Sequence, residues 1–287
     1  MQVDKASDAL RDAAGTHHQP CDLDPATRIV SLVPSITELL CDLGLAPWLV
    51  GRTGYCIHPA ATVKAIAKVG GTKTVNLDKI RRLAPSHCIV NIDENEKPAV
   101  DSIAAFVPHI VVTHPQTPRD NLALYRLMGG IFRAENKAER LCARFEAGLA
   151  VLAAERQTRA WPARRVLYLI WQDPWMTVAR DTYIAAMLAL IDWQQIDVCA
   201  ATSGGSRRYP AIDLEAAARD ADTILLSSEP YRFTTRHVAD LTARFPGKHV
   251  VLIDGEMLSW YGSRAIAGLG YITDLAANGA RPRSAIA

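Results

Sequence analysis

Apolar positions along the chain follow two alternating rhythms, short continuous runs and steps of three and four residues. Residues 28–33 (RIVSLV) read as a strand. It runs into Pro34 and then Ser35-Ile36-Thr37-Glu38, a capping-box spacing with Ser at the N-cap and Glu three residues on. The helix opened there continues through Leu39, Leu40 and Leu43 and stops at Gly44. A strand at 49–53 leads into the loop Gly54-Tyr55-Cys56-Ile57-His58-Pro59. Asn76 caps a helix over 77–83 that feeds a strand at 87–92, and another strand follows at 110–113. Thr117-Pro118-Arg119-Asp120 opens a helix that Gly129-Gly130 is expected to end. Strands alternating with helices imply βαβ units and a mostly parallel sheet.

From 134 to 159 the rhythm becomes purely helical. Ala138, Leu141, Cys142, Phe145, Leu149 and Leu152 share one face, with Glu135, Glu139, Arg144, Glu155 and Arg156 off it. One helix of about 22 residues, roughly 33 Å long, would end at Trp161-Pro162. The α/β rhythm then restarts, with strands at 165–171, 223–227 and 249–253. Helices are expected from 181 to 191, after Asp213, after Thr234 or Thr235, and from 263 to 277. The pattern predicts two Rossmann-like α/β lobes with mostly parallel sheets joined by a single long rigid helix. The divisions are a flexible tail at 1–27, an N-terminal lobe at 28–133, the connecting helix at 134–160, a C-terminal lobe at 161–278 and a frayed tail at 279–287.

A short internal repeat supports two related halves. Asn76-Leu77-Asp78 opens a helix that runs into HCIVNI, and Asp213-Leu214-Glu215, 137 positions later, opens one that runs into TILLSS. Open α/β sheets bind ligands at the carboxyl ends of their strands, so two facing lobes predict a cleft fed by those loops. The loops carry Tyr55, Cys56, His58, Trp171, Trp175, Tyr209, Tyr231, Trp260 and Tyr261. Rings with a flat apolar face and a polar edge suit a large planar ligand, although each could equally pack its own lobe's core.

Composition narrows the classes. With 32 Lys+Arg against 30 Asp+Glu and no basic run beyond two residues, nothing supports nucleic-acid binding by counterion release. Hydrophobic content of 49% suffices for cores, yet no window approaches the roughly 20 apolar residues of a membrane span. Residues 1–20 are polar with no apolar h-region, from which a cytoplasmic protein is expected, or a periplasmic one if a leader was removed. The six cysteines form no CxxC pair and read as reduced, mostly buried thiols.

The runs RIVSLVPSITELLCDLGL, LVGRTGYC, KVGGTKTVNLDKI and LAPSHCIVNI resemble the N-terminal lobe of the cobalamin- and iron-siderophore-binding proteins of ABC importers. The segments IWQDPWMTVARDTYI and DGEMLSWYGSRAI extend the similarity through the second lobe. The resemblance implies a class III periplasmic-binding-protein-like fold, in which two lobes joined by one rigid helix clasp a ligand. Cobalamin or another metal chelate is then expected, with no covalently bound cofactor. An aromatic that stacks on the corrin falls on Tyr55, the aromatic before a proline in the second lobe on Tyr209, and Trp171 and Trp175 border the ligand. Acids that dock on an ABC transporter permease fall on Asp78 and Glu215. Their plain alternative is favourable charge at a helix N-terminus.

Further expectations concern the loop after the second strand and the arginines. Cys56 and His58, two apart in an extended loop, would project to one side, and His58 is a candidate axial ligand to a metal held in a macrocycle. No HxH, HExxH or CxxC completes a protein metal site. Arg180 and Arg264 could clamp an anionic ligand edge, and an iron-siderophore or haem ligand would call for Arg180, Arg207, Arg208 and Arg264 at the site. An enzyme or thiol sensor around Cys56 is the remaining alternative. No GxGxxG, GxxxxGK[ST] or GxSxG is present, and Asp181 reads as a helix cap rather than a catalytic acid.

Overall fold

A computed structural model describes residues 10–198 and 205–278 of the chain. The expected frayed tail at 279–287, Cys199 and Gly204 lie outside the described residues. The chain forms two compact units. Unit 1 takes the residues up to Pro115, Arg119–Phe145 and Tyr261–Arg264; unit 2 takes Gln116–Pro118, Glu146–Trp260 and the residues from Ala265 onward.

In unit 1 the elements are β1 (Ile29–Ser31), α1 (Pro34–Asp42), β2 (Leu49–Arg52), α2 (Ala60–Val63), β3 (Ala67–Lys68), α3 (Leu77–Arg82), β4 (His87–Asn91), α4 (Lys97–Ala104), β5 (His109–Thr113) and α5 (Asp120–Ile131). The five strands are parallel in the order β3-β2-β1-β4-β5. The central strands β1 and β4 are buried at every residue, as expected of parallel strands covered on both faces. Their apolar side chains meet Val69, Ile80, Ile103 and Val107 in one core.

Several local signals resolve differently from the sequence expectation. The first helix starts two residues early, with Val33 rather than Ser35 as N-cap, Pro34 in its first turn and no side-chain cap. Glu38 therefore closes no capping box; it pairs with Arg264. The glycines Gly129-Gly130 do not end α5. They are contact points, since a Cβ on Gly129 would lie 2.5 Å from the Ala138 methyl and one on Gly130 would lie 2.3 Å from Leu10. Nor is the whole of 1–27 a loose tail. From Leu10 onward it packs on unit 1, because Asp12 and His18 form a buried pair there.

The long helix α6 (Glu135–Arg159) is continuous over 25 residues, about 37 Å at the usual rise. Ala138, Leu141, Cys142, Phe145 and Leu152 are buried on one face, as the spacing predicts. Its first half belongs to unit 1, where Phe145 meets Tyr125 edge-on at 6.2 Å. Its second half belongs to unit 2, where Gly148 leaves room for Leu269.

Unit 2 contains β6 (Arg164–Trp171), β7 (Met176–Thr177), α7 (Tyr183–Ala189), β8 (Trp193–Gln195), β9 (Gly205–Ser206), β10 (Tyr209–Pro210), α8 (Leu214–Asp220), β11 (Thr223–Ser227), α9 (Thr235–Arg244), β12 (His249–Ile253), α10 (Gly255–Ser259) and, from its second residue, α11 (Arg264–Ala277). Strands β12, β11, β6 and β8 run parallel, and β7 joins β6 antiparallel. Thr182, not Asp181, caps α7, its side chain accepting from the Ala185 amide.

The sequence repeat is a structural one. Asn76 and Asp213 each accept a backbone N–H three residues on and start α3 and α8. Each helix leads into the strand paired with its unit's first strand, Ile29 opposite His87 in unit 1 and Val166 opposite Thr223 in unit 2. Among the described residues no helix is long and apolar enough to cross a membrane.

Candidate functional site

Large apolar side chains exposed to solvent are few, and they concentrate at one kind of place. Among the described residues they are Tyr55 (64% exposed), Ile92 (50%), Ile57 (48%), Trp171 (40%) and Val151. The first four lie at the carboxyl ends of strands: Tyr55 and Ile57 after β2, Ile92 directly after β4, Trp171 as the last residue of β6. Val151 is on α6.

In unit 1 the loop after β2 sets one buried residue between two exposed ones. Tyr55 and Ile57 point outward while Cys56 between them is fully buried. The Cys56 Sγ sits 3.1 Å from both the Thr37 and Thr53 hydroxyl oxygens, and the Thr37 hydroxyl donates to it. Burial pushes this thiol up from its ordinary pKa against the opposing hydrogen bonds from Thr37 and Thr53. Cys56 is thus an anchor that presents its two neighbours, and the expectation that it contacts ligand or acts as a reactive thiol fails on burial. His58 is half-buried, and the fully buried Cys56 offers no accessible thiol beside it for a shared ligand.

The loop after β4 is braced by two buried asparagines. The Asn95 side chain accepts from the Asn91 amide at 2.9 Å and donates to the Leu32 and Thr72 carbonyls at 3.3 and 3.0 Å. The Asn91 side chain in turn accepts from the Asp93 amide at 2.8 Å. Three loops are tied together, and Ile92 is held outward on them. Asp93 pairs with His114 at 3.4 Å.

Segment Tyr261–Arg264 belongs to unit 1, not to the C-terminal lobe. The Tyr261 hydroxyl donates to Glu94 at 2.6 Å, the Asn121 side chain accepts from the Gly262 amide at 2.6 Å, and the Tyr125 hydroxyl donates to the Gly262 carbonyl at 2.8 Å. Arg264 makes a two-pronged pair with Glu38 at 2.7 and 2.8 Å, both side chains largely buried. Tyr261 is buried, and both Tyr261 and Arg264 are engaged within unit 1, against the expectation that they face a ligand.

Unit 2 presents rings differently. Trp171 meets Tyr231 edge-on at 5.5 Å, Tyr231 lies 4.8 Å from Phe233, and Phe233 stacks on Trp175 at 6.1 Å. His237 closes the group, 5.7 Å from Tyr231 and 5.4 Å from Phe233. Trp175 and Tyr231 also pack against the unit's core, which leaves Trp171 as the outward edge of the cluster. Tyr209 is half-buried on β10. Trp260 is buried, its Nε1 donating to Glu229 at 2.9 Å beside the Ser259 hydroxyl at 2.6 Å. Burial raises the Glu229 carboxyl's pKa, opposed by the Ser259 hydrogen bond and reinforced by Glu256. Arg180 pairs with Asp197 at 2.8 Å and donates to the Gln195 carbonyl, while Arg208 donates to the Asp181 carbonyl. Of the arginines expected to clamp an anionic ligand, Arg180, Arg208 and Arg264 are engaged with protein partners and Arg207 is exposed.

Asp78 and Glu215 occupy matching first turns of α3 and α8. Asp78 is exposed 3.7 Å from Arg81, and Glu215 pairs with Arg244. Among the described residues no group of three or more His, Cys, Asp or Glu side chains converges to hold a metal ion. Sequence reading missed Ile57 and Ile92, which look like ordinary strand-end aliphatics, and Phe233, His237 and the Asn91–Asn95 brace, which have no motif.

A family model described as "Periplasmic binding protein" matches residues 29–243. The ABC transporter substrate-binding lipoprotein YvrC of Bacillus subtilis (strain 168) is 27% identical over 170 residues, 57% of this chain and 53% of that protein. A vitamin B12-binding protein of Pectobacterium carotovorum subsp. carotovorum (strain PC1) is 22% identical over 169 residues, 59% of this chain and 61% of that one. The chain thus spans little more than half the length of the curated relatives it matches. The periplasmic heme-binding protein RhuT from Roseiflexus sp. RS-1, in apo form, shares the fold with a TM-score of 0.72 at 22% identity, over 89% of this chain and 99% of that one.

Proposed function

Starting from a chain that belongs to the periplasmic binding protein family, we propose that it is a binding protein, not a catalyst, for a planar metal complex of the corrinoid class. The observation that carries this reading is the concentration of exposed apolar side chains at strand carboxyl ends, Tyr55, Ile57 and Ile92 in unit 1 and Trp171 in unit 2. Exposed apolar groups held by braced loops lose little entropy on meeting a flat ring and gain its contact area. The B12-binding relative supports the ligand class. Haem or an iron chelate is the second reading, favoured by the fold shared with RhuT. It is weakened by the engagement of Arg180, Arg208 and Arg264 with their own partners, because a ligand bearing carboxylates needs cations to meet them.

The test is titration calorimetry of the full chain with dicyanocobinamide, cyanocobalamin and haemin. A corrinoid should bind with micromolar or better affinity, and Tyr55→Ala and Trp171→Ala should each weaken it about tenfold or more. Failure of every corrinoid and of haemin to bind overturns the proposal; tight haemin binding alone selects the second reading.

We extend to this chain the partner and location that the relatives' names carry, an ABC importer outside the cytoplasmic membrane. The cytoplasmic expectation rests only on the polar character of residues 1–20 and finds no support in these relatives. Asp78 and Glu215, exposed at matching positions in the two units, are the proposed docking acids. Double substitution Asp78→Ala/Glu215→Ala should abolish co-purification of a permease from the native host and leave ligand affinity unchanged. Recovery of the protein solely in the cytoplasmic fraction would overturn the assignment.

A further inference from the structure

Four of the chain's eight histidines gather far from the strand carboxyl ends, at the opposite edge of unit 1's sheet. His87 and His109 are the first residues of β4 and β5 and lie opposite each other in the parallel register. Their rings stack 4.7 Å apart. A cavity of about 300 Å³ there is lined by these two and by His17, His18 and Cys21 from the segment that precedes β1.

That segment is seated, not trailing. Arg11 and His17 bridge antiparallel, so residues 11–17 form a small hairpin. It lies along β5, an edge strand, with the Ala13 amide donating to the Val112 carbonyl at 2.9 Å. The Val112 amide donates to the Asp12 carboxylate at 3.0 Å. Asp12 also accepts from the Ala14 and Thr16 amides at 3.0 and 2.9 Å and lies 3.0 Å from the His18 Nε2. Leu10 fills the notch that Gly130 leaves on α5, and the Cys21 amide donates to the Ile131 carbonyl.

We propose that residues 10–21 are an acid-released strap, held on β5 at neutral pH by the Asp12 carboxylate and by the uncharged, buried His87 that stacks on the exposed His109, and loosened as His87 and then Asp12 take up protons. The groups facing His87 are His18 from the strap and His109 from β5, with the Ser86 hydroxyl 2.9 Å from its Nδ1 and the uncharged Phe132 ring 5.1 Å away. His17 and Cys21 line the same cavity, and no carboxylate sits at His87 to stabilise an imidazolium. Burial, with His109 and His18 adding to it, lowers His87 from 6.5 to about 4. A strap-open state that solvates His87 takes up a proton at about pH 6.5, whereas the closed state resists until about pH 4. Closure is therefore favoured fully above 6.5 and progressively less as pH falls between those values. Asp12 acts in the same direction at lower pH. Its burial raises its pKa, but the hydrogen bonds from His18, Val112 and Thr16 outweigh that and lower it overall, so the contribution is lost as the carboxylate protonates.

Hydrogen–deuterium exchange on the full chain, corrected for the intrinsic pH dependence of exchange, tests this strap independently of any ligand. Peptides within 10–21 should lose protection on the order of 50- to 100-fold between pH 7.5 and 4.5, while β1 and β4 stay protected. His87→Leu should reduce that loss to less than about tenfold, and Asp12→Asn should open the strap already at pH 7.5. Should the variants fail to fold, the wild-type His87 resonance in an NMR titration answers the same question, with a midpoint near 4 expected. Unchanged protection of 10–21 across this range, opening at one common pH with the sheet, or a His87 midpoint near 6.5 would overturn the proposal.

Discussion

Units 1 and 2 share a strand–helix plan with matching capped helices and matching central strands, yet they present apolar surface by opposite means. Unit 1 exposes single side chains, Tyr55, Ile57 and Ile92, on loops fixed from below by polar anchors: the Thr37–Cys56–Thr53 cluster and the Asn91–Asn95 brace. Unit 2 exposes the rim of a ring cluster whose interior is its own core, so that Trp171 is supported by Tyr231 and Phe233. The difference teaches where binding and stability separate. In unit 1 the exposed residues are decoupled from the core, whereas in unit 2 they are its outer layer.

The largest effect should come from breaking the support of the ring cluster. Phe233 is 2% exposed and touches Trp175, Tyr231 and His237. Phe233→Ala should cost about 3–4 kcal/mol by urea denaturation and weaken ligand binding as well, because Trp171 loses its backing. Next is the Glu38–Arg264 pair of unit 1. Arg264→Ala should destabilise by about 2–3 kcal/mol by leaving a largely buried carboxylate alone, and the Glu38→Gln/Arg264→Met double variant should recover most of it. A loss of binding without loss of stability in Arg264→Ala would return this arginine to the ligand. Smaller still, Tyr55→Ala should change stability by less than about 0.5 kcal/mol while weakening binding about tenfold. Trp171→Ala should cost both, with about 1 kcal/mol of stability from the lost ring contact. Equal stability losses at the two positions would erase the contrast between the units. The smallest effect is on chemistry: at neutral pH Cys56 should alkylate far more slowly than the half-exposed Cys21, measured by mass spectrometry.

The βαβ order, the long helix and its buried face, the Asn76 and Asp213 caps and the doubled plan were all legible along the chain, because each depends on neighbours within a few residues or on a periodic apolar stripe. Tyr55 and Trp171 were legible as candidates for the same reason, being rings at strand ends. Local reasoning failed wherever a distant partner competed for a side chain. Glu38 leaves its capping box for Arg264, 226 positions away, and the Gly129-Gly130 pair continues a helix because Ala138 and Leu10 need the space. Cys56, adjacent to an exposed tyrosine, is drawn inward by two threonines, one of them 19 positions away. Likewise the polar stretch before β1, bare of periodicity, is ordered by an edge strand 100 positions on whose backbone groups need partners. By itself the sequence determined which elements form and where rings stand along them, since helix and strand are local solutions to hydrogen bonding and burial. Which of those rings stay outside, and which charges are already spent on each other, only tertiary structure decided, because burial and pairing are set by what arrives from far along the chain.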